Sequence, residues 1–215
     1  MTRTNSAVGI CNLALDALGE APITSIESPS TDLEETMARW YDIMRLTVLR
    51  EQVWNFAQKY RVLPRTGGGE GGFADAYALP NDFVRLNSIG EDPYFPITDY
   101  EMSIDDSSRR VIYASNGDTL PIRYNRDITK VGLMDPLFVT YFALRLALEV
   151  AYTVNKKASI IDKIVSRIAQ AEPKTVSVDG QERVPRRIQN SKYLAARRWS
   201  YGLWGSDRYR ESDFE

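Results

Sequence analysis

From residue 6 onward, apolar side chains recur at helical spacing: Val8, Cys11, Leu15 and Leu18, with Ile10, Ala14 and Ala17 beside them. Ser6 is a fitting N-cap and Gly19 a fitting left-handed stop, so a helix over 6–18 is predicted. Pro22 and Pro29 exclude a long helix in the connection that follows. Thr31 and Glu34 then have capping-box spacing ahead of Leu33, Met37, Trp40, Tyr41, Met44 and Val48. That predicts a second helix over 31–51, with Arg39, Asp42, Arg45 and Arg50 on its polar face.

The strongest apolar pattern covers residues 135–155, DPLFVTYFALRLALEVAYTVN. Asp135 is placed to cap and Pro136 to occupy the first helical position, where its missing N–H is harmless. The polar stripe of Arg145, Glu149 and Thr153 is narrow, so the segment is predicted to be the central helix of the core. Arg145 and Glu149 interrupt the run of roughly 20 apolar residues that a bilayer crossing needs, so no membrane partner is expected. A fourth helix over 159–171 carries Ile160, Ile161, Ile164, Val165 and Ile168, packs back on the central one, and is expected to end before Pro173.

Between the second and central helices the pattern changes period. Alternation appears within 53–64, and β-like pieces follow at 77–79, 83–89, 94–98, 110–114 and 120–125. Turn clusters separate them at 80–82, 90–93 and 116–118. The fold class is therefore α+β. A helical bundle core of about four helices (1–52 and 134–172) carries an inserted antiparallel β domain (53–133) and an extended C-terminal arm (173–215). Within the arm, Asp179-Gly180 gives a weak hairpin signal.

Composition changes this picture little. The chain has 215 residues, a formal net charge of −2 and no global pull towards nucleic acid or anionic lipid. No secretory leader is expected, because MTRTNSA runs directly into the first amphipathic pattern. Cys11 is the only cysteine and lies on an apolar face, which points to a buried small hydrophobe. The absence of histidine is more informative. It excludes serine–histidine and cysteine–histidine pairs and imidazole ligands, and with one cysteine a structural zinc site is excluded too. No catalytic residue, cofactor or metal is therefore expected.

Three constellations bear on chemistry. GGGEGG at 67–72 formally satisfies G-x-G-x-x-G, but lacks the following helix of a dinucleotide site and reads as a flexible loop tip. The acidic pairs Glu34/Glu35 and Asp105/Asp106 are adjacent in sequence rather than set across a cleft, so they read as solvated charge. The C-terminal arm interleaves basic and aromatic residues. Tyr193, Arg197, Arg198, Trp199 and Trp204 in it are the types that dominate protein interfaces, and they are the expected docking residues. The same mixture also suits single-stranded nucleic acid, and a carboxylate-dependent glycan hydrolase is the enzymatic alternative.

With the elements placed, several short motifs gain meaning together. They are LALDALGEAPITSI at 13–26, Trp54-Asn55-Phe56, Leu79-Pro80 with Asp82 and Phe83, the strand at 111–114, residues 123–127, and Asp135-Pro136 opening a helix. In this order and spacing the chain resembles the tail tubular protein A, or head-to-tail adaptor, family of short-tailed bacteriophages, over roughly residues 6–170. The resemblance implies a structural virion protein with no catalytic activity. It implies a dodecameric homo-oligomeric ring that joins the portal protein to the tail nozzle or tail tube. DNA would pass through the ring lumen without sequence-specific binding.

Overall fold

Local capping chemistry sets three helix starts. In a computed structural model, which describes residues 6–91, 96–154 and 157–181, helix α1 covers Ala7–Leu18, α2 Asp32–Glu51, α3 Pro136–Val154 and α4 Ala158–Gln181. The Ser6 hydroxyl accepts from the Gly9 N–H at 3.0 Å, and Gly19 ends α1 at φ 74°. The Thr31 hydroxyl accepts from the Glu34 N–H at 3.3 Å, and the Asp135 carboxylate accepts from the Leu137 N–H at 2.7 Å. These hydrogen bonds satisfy donors that a helix N-terminus otherwise leaves unpaired.

Among the described residues seven strands lie between α2 and α3: β1 Gln58–Pro64, β2 Gly67–Gly68, β3 Asp75–Ala78, β4 Phe83–Ile89, β5 Glu101–Ile104, β6 Arg110–Ala114 and β7 Thr119–Arg126. They form two antiparallel sheets, ordered β1-β7-β4 and β2-β3-β6-β5. The α+β class is thus as the sequence predicts. Leu63, Tyr77, Phe83, Ile112, Ile122 and Tyr124 fill a core between the sheets. A second, larger core gathers α1, α2, α3 and α4 around Phe138, Phe142 and Trp54. All described residues belong to one compact unit.

Helix α3 is long and apolar enough to cross a membrane by length and composition, and half of that stretch is buried by the rest of the chain. It packs against α1, α2 and α4, the setting of a core helix. Arg145 on its polar stripe meets Glu51 of α2 at 2.7 Å and donates to the Tyr141 hydroxyl at 3.1 Å.

The two layers are joined by an unusual helix ending. The last four carbonyls of an α-helix have no partner within the helix. Here α2 has no glycine stop, and its C-cap Gln52 is extended. Side chains from outside α2 take all four carbonyls. The Trp54 indole N–H donates to Val48 O at 2.9 Å, Asn125 Nδ2 to Leu49 O at 2.8 Å, and Arg85 Nη1 to Arg50 O and Glu51 O at 3.1 and 2.7 Å. Asn125 also donates to Gln52 O at 2.5 Å.

Several expectations are corrected. Helix α4 runs on through Pro173 to Gln181, so residues 173–181 are helical rather than arm-like, and Asp179-Gly180 is not a hairpin turn. Tertiary contact overrides the local signal, since the Asp179 carboxylate accepts from the Asn55 N–H at 2.8 Å and Thr175 is buried. The glycine run is a closed turn rather than a flexible tip: Gly67–Gly68 pairs with Asp75–Ala76, and a Cβ on Gly69 would lie 2.4 Å from Phe73 O. Residues 96–98 are irregular, with residues 94 and 95 outside the described residues, while β5 was not foreseen. Arg45, expected on the polar face of α2, is buried and pairs with Asp42 and Asp127 and with Ile128 O.

Candidate interaction surface

The C-terminal half of α2 lies beside the start of β4, and two arginines stitch them together. Arg50 Nη1 donates to Val84 O at 2.7 Å, and Arg110 Nη2 donates to Phe83 O at 3.2 Å. The Arg110 guanidinium also sits 5.5 Å from the centre of the Phe83 ring, a cation–π distance. Between them opens a groove of about 330 Å3, lined by Leu46, Thr47, Arg50, Asn81, Phe83, Val84, Arg110 and Asp127. Each guanidinium has five N–H donors, so binding one carbonyl leaves most of its capacity for a ligand. Asp127, the single acidic residue among the described residues lining the groove, is already committed to Arg45.

Exposed apolar residues adjoin the lining. Leu46, which lines the groove, is 39% exposed, Ile43 one turn earlier on α2 is 52% exposed, and Ile104, opposite Arg110 in the β5–β6 register, is 66% exposed. Exposed aliphatic side chains beside a cationic lining fit a partner segment that combines carboxylates with apolar groups. A smaller recess of about 240 Å3 lies between the end of α2 and α4, lined in part by Trp54, Arg85, Val176 and Asp179.

At the other end of α2 the charge reverses. Residues 16–35 hold six carboxylates (Asp16, Glu20, Glu27, Asp32, Glu34 and Glu35) and no lysine or arginine. The loop joining α1 to α2 is fastened from inside by Glu34. Its carboxylate accepts from the Thr24 N–H and hydroxyl, the Ser25 N–H, and the Ser30 N–H and hydroxyl, at 2.8–3.3 Å. Asn12 adds a reciprocal pair with the Ile23 backbone, at 2.8 and 3.1 Å. Glu34 is therefore buried and bonded, which corrects its reading as solvated charge.

The hydrogen bonds from Ser30, and then from Thr24, hold the Glu34 carboxyl down at about 2 against an ordinary 4.5. A carboxyl depressed on folding stabilises the native state above its unfolded pKa, and that contribution is lost as pH falls through the folded one. The stability difference between wild type and Glu34→Gln is therefore expected to be constant above about pH 5 and to shrink between pH 4.5 and pH 2. Urea titrations of both proteins across that range check it; a difference independent of pH down to 2 would refute it.

Other candidate groups are occupied. Asp105 accepts from the Arg109 N–H at 2.8 Å and pairs with its guanidinium at 2.8 Å, which holds its carboxyl below the ordinary range. Burial pushes the Asp82 carboxyl up, but the Lys59 ammonium at 2.8 Å and the Tyr124 hydroxyl at 2.8 Å outweigh it and leave it below its ordinary value. Cys11 is buried, and burial raises its thiol to about 12, so it is not a nucleophile at neutral pH. Among the described residues no group of three or more His, Cys, Asp or Glu side chains could hold a metal ion.

Tyr193, Arg197, Arg198, Trp199 and Trp204, the docking residues expected from sequence, lie outside the described residues. The groove arginines were not expected. Residues 50 and 110 are remote in sequence, and only the fold brings them together. The acidic segment did leave a sequence signal, since no basic residue occurs between Arg3 and Arg39. No protein-family model matches this chain, and no curated protein matches it.

Proposed function

We propose that this chain is a structural virion protein, a subunit of a head-to-tail adaptor ring that joins the portal of a short-tailed bacteriophage to its tail nozzle. The observation that carries the reading is where the resembling motifs fall. Trp54 and residues 123–127 supply side chains that finish α2, Asp82 anchors Lys59 and Tyr124, and Asp135 opens α3. The motifs thus fall on the joints of the fold, where a shared architecture would require them. An adaptor acts through extended subunit contacts, and a charged groove adjoined by exposed apolar residues, opposite an acidic loop, is a surface of that kind. The arm residues Tyr193, Arg197, Arg198, Trp199 and Trp204 are proposed to dock on the portal or an adjacent subunit.

Light scattering of the purified protein, alone and then mixed with its candidate portal protein, tests the reading. A discrete ring near the dodecameric mass, alone or formed on the portal, is the expected result. A monomer that ignores the portal would overturn it.

A further inference from the structure

We propose that copies of this chain associate head to tail, with the acidic α1–α2 loop of one copy seated in the arginine-lined groove of the next. The inference rests on the ring reading above for closure, and on charge and placement for the contact itself. Glu27, Asp32 and Glu35 are exposed on or beside the loop, in a stretch without a single basic residue. Arg50 and Arg110 line the receiving groove, whose acidic residue is occupied by Arg45. Leu46 in the lining, Ile43 one helical turn before it and Ile104 paired with Arg110 are exposed apolar residues, and Pro22 and Pro29 are exposed on the loop to meet them.

Placement keeps the two surfaces apart. The loop lies at the N-terminus of α2 and the groove some 14–18 residues further along, about 25 Å at 1.5 Å per residue. The two surfaces are different and sit at opposite ends of one rigid helix. On the ring reading their pairing is heterologous, so each copy added leaves one loop and one groove unsatisfied, which is the geometry that generates rings or open helices. A two-fold dimer that pairs loop with groove reciprocally would stop at two copies, and a wild type that stops there overturns the head-to-tail arrangement.

Preorganisation favours the loop as the inserted element. Five hydrogen bonds to Glu34 and two to Asn12 hold it in one conformation, so little conformational entropy is lost on docking.

The experiment uses the full chain at high concentration and low salt, with mass read by light scattering and folding checked by far-ultraviolet circular dichroism. The groove variant is Arg110→Glu and the loop variant is Glu27→Lys with Glu35→Lys. Wild type is expected to self-associate in a salt-sensitive way, and each variant alone to weaken that association by about tenfold or more. Mixing the two variants supplies both the native loop–groove pair and its charge-swapped counterpart, so alternating growth that neither variant shows alone is expected. Combining all three substitutions in one chain should restore growth. Variants that assemble like wild type, a mixture that stays monomeric, or a wild type that does not associate would each overturn the contact. Should both variants form the normal ring on the portal, the contact fails and the adaptor reading stands. Should charge-dependent chains form without portal binding, the adaptor reading fails and the contact stands.

Discussion

Trp54→Ala is expected to lower the free energy of unfolding by about 4 kcal/mol, the middle of the range for a large buried aromatic, as measured by urea denaturation at neutral pH. Trp54 is 1% exposed and meets the Phe138 ring edge-on at 5.0 Å, with Phe56 and Tyr141 at 6.2 and 6.4 Å. Truncation opens a cavity among rings that α3 and the backbone hold in place, so the site collapses poorly. It also strips the cap from Val48 O, leaving a buried carbonyl of α2 without its partner. Trp54→Phe separates the two effects: it keeps most of the packing and loses the indole donor, so a smaller loss of about 1–2 kcal/mol is expected. A loss below 1 kcal/mol for the alanine variant would show that the tryptophan does not join the layers as described.

Arg45→Ala is expected to be the second most damaging substitution, at about 3 kcal/mol. The Arg45 side chain is 6% exposed and serves Asp42, Asp127 and Ile128 O together. Removing it leaves Asp127, with a side chain only 30% exposed, without its cation, and Ile128 O without its donor. The cost of an uncompensated, largely buried charge exceeds the worth of the pair itself. Arg45→Ala combined with Asp127→Asn removes both charges and should recover part of the loss in the same urea titration. No recovery would mean that the guanidinium acts by packing alone.

What the sequence made legible follows the range of the interactions involved. The starts of α1, α2 and α3 were readable because Ser6, Thr31 and Asp135 bind N–H groups within three residues of themselves. Strands β4, β6 and β7 were readable from apolar alternation and intervening turn residues. Strand β5 was not, because the alternation of Met102 and Ile104 spans only four residues, too short to stand out from a loop. Helix α4 past Pro173 was illegible for a different reason: its anchor, Asn55, lies 124 residues from Asp179. Arg45 looked like a surface charge because the acceptor that draws it inward, Ile128 O, is 83 residues away. The groove belongs to the same class, since Arg50 and Arg110 meet only through β4.

The place of the sheets within the chain has a consequence for how the protein is made. Helix α1 packs chiefly on α3, and the seven described strands lie between them. A ribosome adding about 5–20 residues per second needs roughly ten seconds to travel from the end of α1 to the start of α3. During that interval Ile10, Leu15 and Leu18 have no α3 to cover them, and by its close the last described strand, ending at Arg126, has been made while α3 has yet to begin. The order of synthesis therefore favours a sheet that forms first and a helical layer that closes late, with the apolar face of α1 as the surface that nascent-chain chaperones would meet.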